Sequence, residues 1–301
     1  MNSFSIKDLE NLSGIKAHTI RIWEQRYDFL KPQRTGTNIR YYTNNELKKV
    51  LKVALLNKYG YKISHINRMS EEDIDNKIIA LTQTEAQQER VVNDLLRSMV
   101  DLDIKAFEDI LDEEIAAKGI DKLIMQVIFP FLEKLGILWM TSHIIPAQEH
   151  LVSNIIRQKL IAGIENAGSY VNLNKTALLF LPEGEHHELG LLFAQYTFKT
   201  HGLTVLYMGS DCPISDLEFV IKQKQPDFIF TCLTSLPSNF NFDKFAAKLK
   251  AISADTPVVV TGHFNNHFKQ HAPPSIHFIY SLGEIMDYIA NLQVKNPESV
   301  I

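Results

Sequence analysis

The chain has 301 residues, enough for two or three domains with separate hydrophobic cores. Apolar residues make up 45% and charged residues 22%, which excludes a disordered chain. No apolar run reaches membrane-spanning length, so we expect a cytoplasmic protein without a membrane partner. The cysteines Cys212 and Cys232 are the only two, which argues against a disulfide framework or a four-thiolate zinc site.

The net charge of −4 conceals an uneven distribution along the chain. Residues 1–70 hold 13 Lys and Arg against 5 Asp and Glu, a net +8. The rest of the chain holds 18 Lys and Arg against 30 Asp and Glu, a net charge of −12. A basic amino-terminal region followed by an acidic one predicts that the first part binds a polyanion, with nucleic acid as the expected partner.

Residues 1–72 have the pattern of a small DNA-binding domain. A helix at 6–12, a break at Ser13-Gly14 and a second helix at 16–27 have helix-turn-helix spacing. Residues 32–42, rich in Gly, Thr, Asn and Arg, predict a β-hairpin wing. The alternative is a small helical domain with solvated charges, but the turn, the wing and the local charge together favour DNA binding.

The candidate DNA contacts lie near the start of the second helix and in the wing, where base edges and phosphates are read. They are Lys16, His18, Thr19, Arg21, Arg34, Asn38, Arg40 and Tyr41.

The middle of the chain is helical. Amphipathic patterns at 76–99, 103–118, 120–135 and 146–167 are separated by short breaks and predict a four-helix bundle over residues 76–170. The acidic and polar stretch 70–75 is interpreted as a hinge before that bundle.

From residue 175 the pattern alternates between strands and helices. Strands are predicted at 175–181, 203–208, 227–233, 257–261 and 276–281, with helices at 188–200, 214–223, 241–252 and 283–292. This alternation predicts an α/β doubly wound, parallel five-stranded, flavodoxin-like domain over residues 174–296. Ligands of such sheets bind beyond the carboxyl ends of the strands.

The loop after the first of these strands contains the most informative residues. His187 follows the buried strand, with the carboxylate of Glu185 two residues before it and Gly190 three residues after. This arrangement favours a metal-centred cofactor above the sheet, with His187 as the metal ligand. A histidine in a solvated loop is the alternative. Cys232 and Gly262 are predicted at the same edge of the sheet.

Residues 4–69 resemble the winged helix-turn-helix domain of MerR-family transcriptional regulators. The resemblance rests on His18-Thr19-Ile20-Arg21-Ile22-Trp23-Glu24-Gln25-Arg26-Tyr27, followed by Leu30, Pro32, Arg34 and Arg40-Tyr41-Tyr42. It implies binding of a dimer to near-palindromic promoter DNA, with Thr19, Arg21 and Arg40 in contact with the DNA.

Two further motifs resemble CarH/LitR-type adenosylcobalamin-dependent photoregulators. Trp139-x9-Glu149-His150 is similar to the signature of their helical cap, which covers the upper face of adenosylcobalamin. Glu185-x-His187-x-x-Gly190 is similar to the loop whose histidine replaces the cofactor's own base as lower cobalt ligand. The resemblance implies a repressor, not an enzyme, whose self-assembly into a dimer or tetramer and whose DNA affinity are controlled by adenosylcobalamin, with light as a further expected signal.

Three positions depart from that family pattern. The Ser-x-Leu after the third strand is replaced by Cys232-Leu233-Thr234, the Gly-Gly after the fourth by Gly262-His263, and the histidine after the cap tryptophan by Met140. Thr234 still offers a hydroxyl, whereas His263 puts a large side chain where the nucleotide tail of the cofactor would pass.

These departures leave two alternatives open. One is a cofactor-independent MerR-type regulator whose sensor fold serves oligomerisation or binds a protein antagonist. The other is a corrinoid enzyme module, which would share the histidine loop but has no use for a basic winged domain.

Overall fold

A computed structural model of the chain describes residues 4–27, 30–35, 38–81, 84–140, 144–169, 171–236, 240–262 and 273–294. Two compact units are present, Met1–Ile156 and Arg157–Ile301. Within the described residues, every helix is too short or too polar to cross a membrane. His263, one of the three departures noted above, lies outside the described residues.

The first unit begins with a helix-turn-helix and a wing. Helix α1 (Ile6–Ser13) starts at a capping box formed by Ser5 and Asp8, and helix α2 (Ala17–Arg26) follows after a left-handed Gly14. The wing is the antiparallel pair β1 (Gln33–Arg34) and β2 (Arg40–Tyr41). The predicted helix-turn-helix and wing are therefore confirmed.

The predicted hinge at residues 70–75 is wrong. Helix α3 (Asn44–Lys58) and the short α4 (Ile63–Ile66) are followed by α5 (Glu71–Ile79), which begins at this stretch. Ser70 and Asp73 form a capping box, and acidic residues fill the first turn of α5, where the helix dipole favours negative charge.

The single helix predicted at 76–99 is also two helices. The chain leaves α5 after Ile79, buries Leu81 in a cluster that includes Trp23 and Ile78, and starts again at α6 (Thr84–Asp101). Burial of Leu81 against the first domain interrupts the helix, which the periodicity of the sequence does not reveal.

The remaining helical elements lie within one residue of the predicted bounds, except that the helix predicted at 120–135 extends to Met140. They are α7 (Ile104–Lys118), α8 (Ile120–Leu123), a π-helical turn (Ile124–Ile128), α9 (Phe129–Met140) and α10 (Pro146–Asn166). The π turn ends two residues before Pro130, which has no N–H and whose ring would clash with the carbonyl of Gln126 in a regular α-helix. Helix α10 crosses the boundary between the two compact units.

The second unit is the predicted parallel sheet. Its strands are β3 (Thr176–Pro182), β4 (Thr204–Cys212), β5 (Phe228–Leu233), β6 (Val258–Gly262) and β7 (Ile276–Phe278). The connecting helices are α11 (Leu189–Thr200), α12 (Ile214–Lys224), α13 (Phe242–Ser253) and α14 (Leu282–Val294).

The strand order is β4-β3-β5-β6-β7, and all neighbours are parallel. This is the flavodoxin-like order, in which the direction of winding reverses between β3 and β5. The strands β3 and β5, on either side of this reversal, are almost wholly buried, as expected for a sheet covered on two faces. Ligands of such folds bind at the reversal, so the loops after β3 and β5 form the expected binding edge.

Candidate functional site

The loop after β3 is held by a buried carboxylate. Glu185 has no solvent-exposed surface, and its Oε2 accepts the backbone N–H groups of Thr234 and Ser235 at 2.7 and 2.6 Å. Thr234 and Ser235 follow β5, so Glu185 joins the two loops on either side of the winding reversal. The chain turns into this loop at Gly184, whose φ of 81° favours glycine.

The other oxygen of Glu185 holds His187. Oε1 accepts the backbone N–H of His187 at 3.0 Å and lies 2.7 Å from its Nδ1. Burial alone would raise the pKa of Glu185, but the hydrogen bonds from the His187 side chain and from the backbone of His187, Ser235 and Thr234 outweigh burial and hold this pKa at about 2. Glu185 is therefore ionised at any physiological pH.

An ionised Glu185 fixes the tautomer of His187. Nδ1 carries the proton that it donates to Oε1, so the lone pair of the neutral ring is on Nε2. The His187 side chain is 53% exposed, so this nitrogen belongs to a ring that a ligand can approach. A neutral imidazole oriented by a carboxylate is a common arrangement of metal-ligating histidines, and cobalt accepts imidazole nitrogen. His187, oriented by Glu185, therefore has the chemistry required of the lower ligand to the cobalt of a corrinoid.

Gly190 lies in the first turn of α11, close to Cys232. A Cβ at position 190 would be 2.9 Å from the Cys232 Sγ, so this close approach admits only glycine without a shift. The Cys232 thiol is buried, which raises its pKa to about 11, and its Sγ lies 3.4 Å from the Thr234 hydroxyl. Thr234 therefore contacts Cys232 with its side chain and Glu185 with its backbone.

Gly262 ends β6 in a conformation that other residues avoid. Its φ is 113°, and a Cβ would come within 2.2 Å of the Leu233 carbonyl oxygen. Gly262 is needed for the close pairing of β6 with the end of β5, next to the loop that anchors Glu185.

Sequence reasoning missed a second polar cluster beside His187. The Glu188 carboxylate, 15% exposed, accepts a charge-assisted hydrogen bond from Arg157 Nη2 at 2.8 Å and one from the Tyr207 hydroxyl at 3.2 Å. Burial, together with the negative charge of Glu188, raises the pKa of Tyr207 well above its usual value. No local signal links these three residues, because Arg157 is on α10 and Tyr207 is on β4.

The residues of the other cofactor motif lie on two helices of the first unit. Trp139 and Met140 end α9, and Glu149 and His150 lie near the start of α10. The Glu149 carboxylate is 2.9 Å from His150 Nδ1 and accepts a hydrogen bond from the Ser153 hydroxyl. Among the described residues, no group of three or more His, Cys, Asp and Glu side chains could hold a metal ion by itself.

The candidate DNA contacts are on α2 and in the wing. Lys16, His18 and Arg21 are exposed, and Thr19 is half-buried with its hydroxyl 3.3 Å from His18 Nε2. Near the wing tip, Arg34 Nη1 donates to the Asn38 side-chain oxygen at 2.7 Å. Asn38 has a left-handed φ of 66°, which Asn tolerates better than most residues.

Arg40 and Tyr41 lie on β2 of the wing. The Tyr41 hydroxyl donates to the Gln33 side chain at 2.6 Å across the hairpin. Arg40 Nε lies 3.4 Å from the Glu24 carboxylate, whose side chain is only 8% exposed. Glu24 also accepts a hydrogen bond from the buried Tyr42 hydroxyl, so it connects α2 to the wing. Glu24 was part of the sequence motif but was not among the predicted site residues.

Comparison with known proteins gives two family matches and two similar curated proteins. Residues 4–73 match the MerR HTH family regulatory protein family, and residues 91–162 match the B12 binding domain family. The HTH-type transcriptional repressor CarA of Myxococcus xanthus is 29% identical over 264 residues, 85% of each chain. The HTH-type transcriptional repressor CarH of the same organism is 28% identical over 267 residues, 86% of this chain and 89% of that protein.

A solved structure shares the fold. The monomethylamine corrinoid protein of Methanosarcina barkeri superposes with a TM-score of 0.51 at 13% sequence identity, covering 69% of this chain and 99% of that one. At this identity, the likeness speaks for the fold alone.

The matched domains and the geometry define the class. The chain is a transcriptional regulator in which a region that matches the MerR HTH family precedes a region that matches the B12 binding domain family, and a parallel five-stranded sheet follows both. Both curated relatives are transcriptional repressors and neither is a corrinoid enzyme, so the comparisons favour a regulator over an enzyme module that shares the histidine loop.

Proposed function

We propose that the protein is a repressor whose assembly and DNA affinity are controlled by adenosylcobalamin, with His187 as the lower ligand of the cobalt. The observation that carries this proposal is the hydrogen bond between Glu185 Oε1 and His187 Nδ1, together with the two backbone N–H groups that anchor Glu185. A carboxylate fixed on both sides presents one tautomer and one orientation of the imidazole, as a metal ligand requires.

The roles of the other predicted site residues follow from their chemistry. Glu185 holds the Nδ1 proton of His187, and Gly190 keeps the first turn of α11 free of side-chain bulk. The Thr234 hydroxyl, Cys232 and Gly262 would contact the part of the corrinoid that enters the sheet. Bound adenosylcobalamin would supply a cobalt centre and a light-sensitive cobalt–carbon bond.

For the adenosyl group we assign the motif Trp139, Glu149 and His150. The indole offers an aromatic surface for the adenine, and the Glu149 carboxylate can accept hydrogen bonds from the ribose hydroxyls. The Glu149–His150 pair at the start of α10 would orient that carboxylate. We assign residues 76–170 to a four-helix cap and residues 174–296 to the sheet domain that holds His187.

Residues 1–72 would bind promoter DNA. A homo-oligomer, dimer or tetramer, would bring several such domains to adjacent half-sites, so cofactor-dependent assembly raises the effective concentration of each domain at its site. Removal of the adenosyl group by light would then change DNA affinity through assembly.

A second candidate function is a cofactor-independent regulator whose sensor fold serves oligomerisation or binds a protein antagonist. The observation that favours it is the buried Cys232 thiol, which fills the space beneath Gly190 where the family has a serine.

Absorbance and size-exclusion chromatography with adenosylcobalamin, in darkness and after illumination, test the proposal. We expect the wild type to bind and assemble, and His187→Ala to lose at least about tenfold in affinity, equivalent to about 1.4 kcal/mol, together with the imidazole-ligated spectrum. His186→Ala, which removes the adjacent exposed histidine, is the spectral control and should keep that spectrum. The second candidate would be favoured if the protein leaves the absorbance spectrum of adenosylcobalamin unchanged and the cofactor leaves the elution volume of the protein unchanged.

A further inference from the structure

A half-open cavity of about 260 Å³ lies in the first unit between α3, α5 and α6. We name it the α3–α5–α6 cleft. Its volume is just below the range of about 300–1,000 Å³ typical of small-molecule sites. Its lining comes from all three helices and includes Lys48, Lys52, Ile79, Arg90, Asp94 and Arg97.

The lining combines aliphatic and cationic side chains. Four aliphatic side chains from α3 and α5 supply the apolar surface. Four basic side chains from α3 and α6 outnumber the two carboxylates of the lining and Asp101, which pairs with Lys48, by four to three. A lining with excess positive charge beside aliphatic surface suits a ligand that has an anionic group on an apolar body.

Most of the basic side chains already have a carboxylate partner. Lys48 pairs with Asp101, Lys52 pairs with Asp75, and Arg97 Nη2 lies 3.3 Å from Asp94. Arg90 has no ion-pair partner within 4 Å among the described residues. Its guanidinium can offer two parallel N–H donors to an incoming carboxylate.

Asp94 also points to a perturbed environment in this cleft. Burial raises its pKa, and the nearby positive charges of Arg97 and Arg90 oppose that rise. Perturbed ionisable groups beside a cavity are typical of binding sites.

From the cavity and its charges, we infer that the α3–α5–α6 cleft binds a small carboxylate with an apolar body, held by Arg90 and the aliphatic side chains of α3 and α5. Such a ligand would contact both the DNA-binding domain, through α3, and the first helix of the following region, α6. The cleft is a second ligand site, separate from the His187 loop, and does not depend on cobalamin binding.

The test is ¹⁹F NMR of 4-fluorobenzoate titrated with the full-length protein, with and without added cobalamin. We expect saturable line broadening with a Kd below about 10 mM in both conditions, and at least tenfold weaker binding of the uncharged 4-fluorobenzyl alcohol. Arg90→Gln should weaken 4-fluorobenzoate binding at least tenfold, whereas Arg68→Gln, an exposed arginine outside the cleft, should leave it unchanged.

A second variant guards against misfolding of the first. Ile79 is 64% exposed, so Ile79→Glu is compatible with folding and places a repelling carboxylate at the cleft. We expect it to abolish 4-fluorobenzoate binding. No saturable broadening with the wild type, or equal affinity in wild type, Arg90→Gln and Ile79→Glu, would overturn the inference, as would displacement of the probe by cobalamin.

Discussion

Glu185 Oε1 accepts the backbone N–H of His187 at 3.0 Å and lies 2.7 Å from the Nδ1 of the same residue. Because Oε2 is held by the backbone of Thr234 and Ser235, one buried carboxylate orients the imidazole and joins two loops of the sheet. Its replacement should therefore affect stability and cofactor binding together.

Glu185→Gln should lower the free energy of unfolding by about 2–3 kcal/mol at pH 7, because the amide cannot accept all the N–H groups that the carboxylate accepts. The pKa of Glu185 falls from 4.5 to about 2 on folding. The contribution of this ionised group is therefore complete above pH 4.5 and is lost as the pH falls toward 2. Urea unfolding of both proteins at pH 7, 4 and 3 should show the difference shrinking.

Glu183→Gln is the matched control, since Glu183 is an exposed carboxylate in the same loop. It should change stability by less than about 0.5 kcal/mol. A difference between wild type and Glu185→Gln that stays constant from pH 7 to pH 3 would contradict the assigned pKa.

The close approach of Gly190 and Cys232 predicts a change of sign in a double-mutant cycle. Gly190→Ala alone places a methyl group 2.9 Å from the buried Sγ, and we expect a loss of about 1–3 kcal/mol from overpacking. In the Cys232→Ala background the sulfur is absent, so the same substitution should stabilise by up to about 1 kcal/mol through helix propensity. Thermal unfolding of the wild type, the two single variants and the double variant measures the coupling between positions 190 and 232. Additive changes in the free energy of unfolding would refute the predicted contact.

Burial should make the Cys232 thiol unreactive in the folded protein. Burial raises its pKa from 9.0 to about 11, so at pH 8 almost no thiolate is present and access is closed. In a Cys212→Ser background, iodoacetamide should modify Cys232 at least about a hundredfold more slowly than in urea, as followed by mass spectrometry. Stability from the neutral thiol should persist below pH 9 and decline as the pH rises toward 11. Modification at the rate of the unfolded chain would show an open thiol.

Arg40 is expected to contact phosphate while it remains paired with Glu24. Arg40→Ala should weaken binding to duplex DNA of any sequence and reduce the slope of log affinity against log salt concentration by about 0.9. Fluorescence anisotropy at several salt concentrations measures both. Lys222→Ala, which removes an exposed cation on α12, should change neither, and an unchanged slope for Arg40→Ala would remove Arg40 from the DNA contacts.

Local rules account for most of the correctly predicted elements. The helix predicted from residue 6 begins there because Ser5 and Asp8 form a capping box, and the strand predicted at 175–181 is found at 176–182, where the sequence is an unbroken apolar run. Ser70-x-x-Asp73 obeys the same capping rule, so the error of a hinge there was avoidable. The split between α5 and α6 could not be predicted from local rules, because it depends on the burial of Leu81 against residues far away in the sequence.

The sequence alone determined the order of the domains and the residues of the histidine loop, because caps, periodicity and the Glu185-x-His187 spacing all act within a few residues. Only the tertiary structure decided which oxygen of Glu185 holds His187, that Arg157 and Tyr207 meet at Glu188, and that Cys232 lies against Gly190. The contacts at Glu188 and at Gly190 join residues 19 to 42 positions apart, and such pairs come together only when the strands are ordered in the sheet and their side chains are packed.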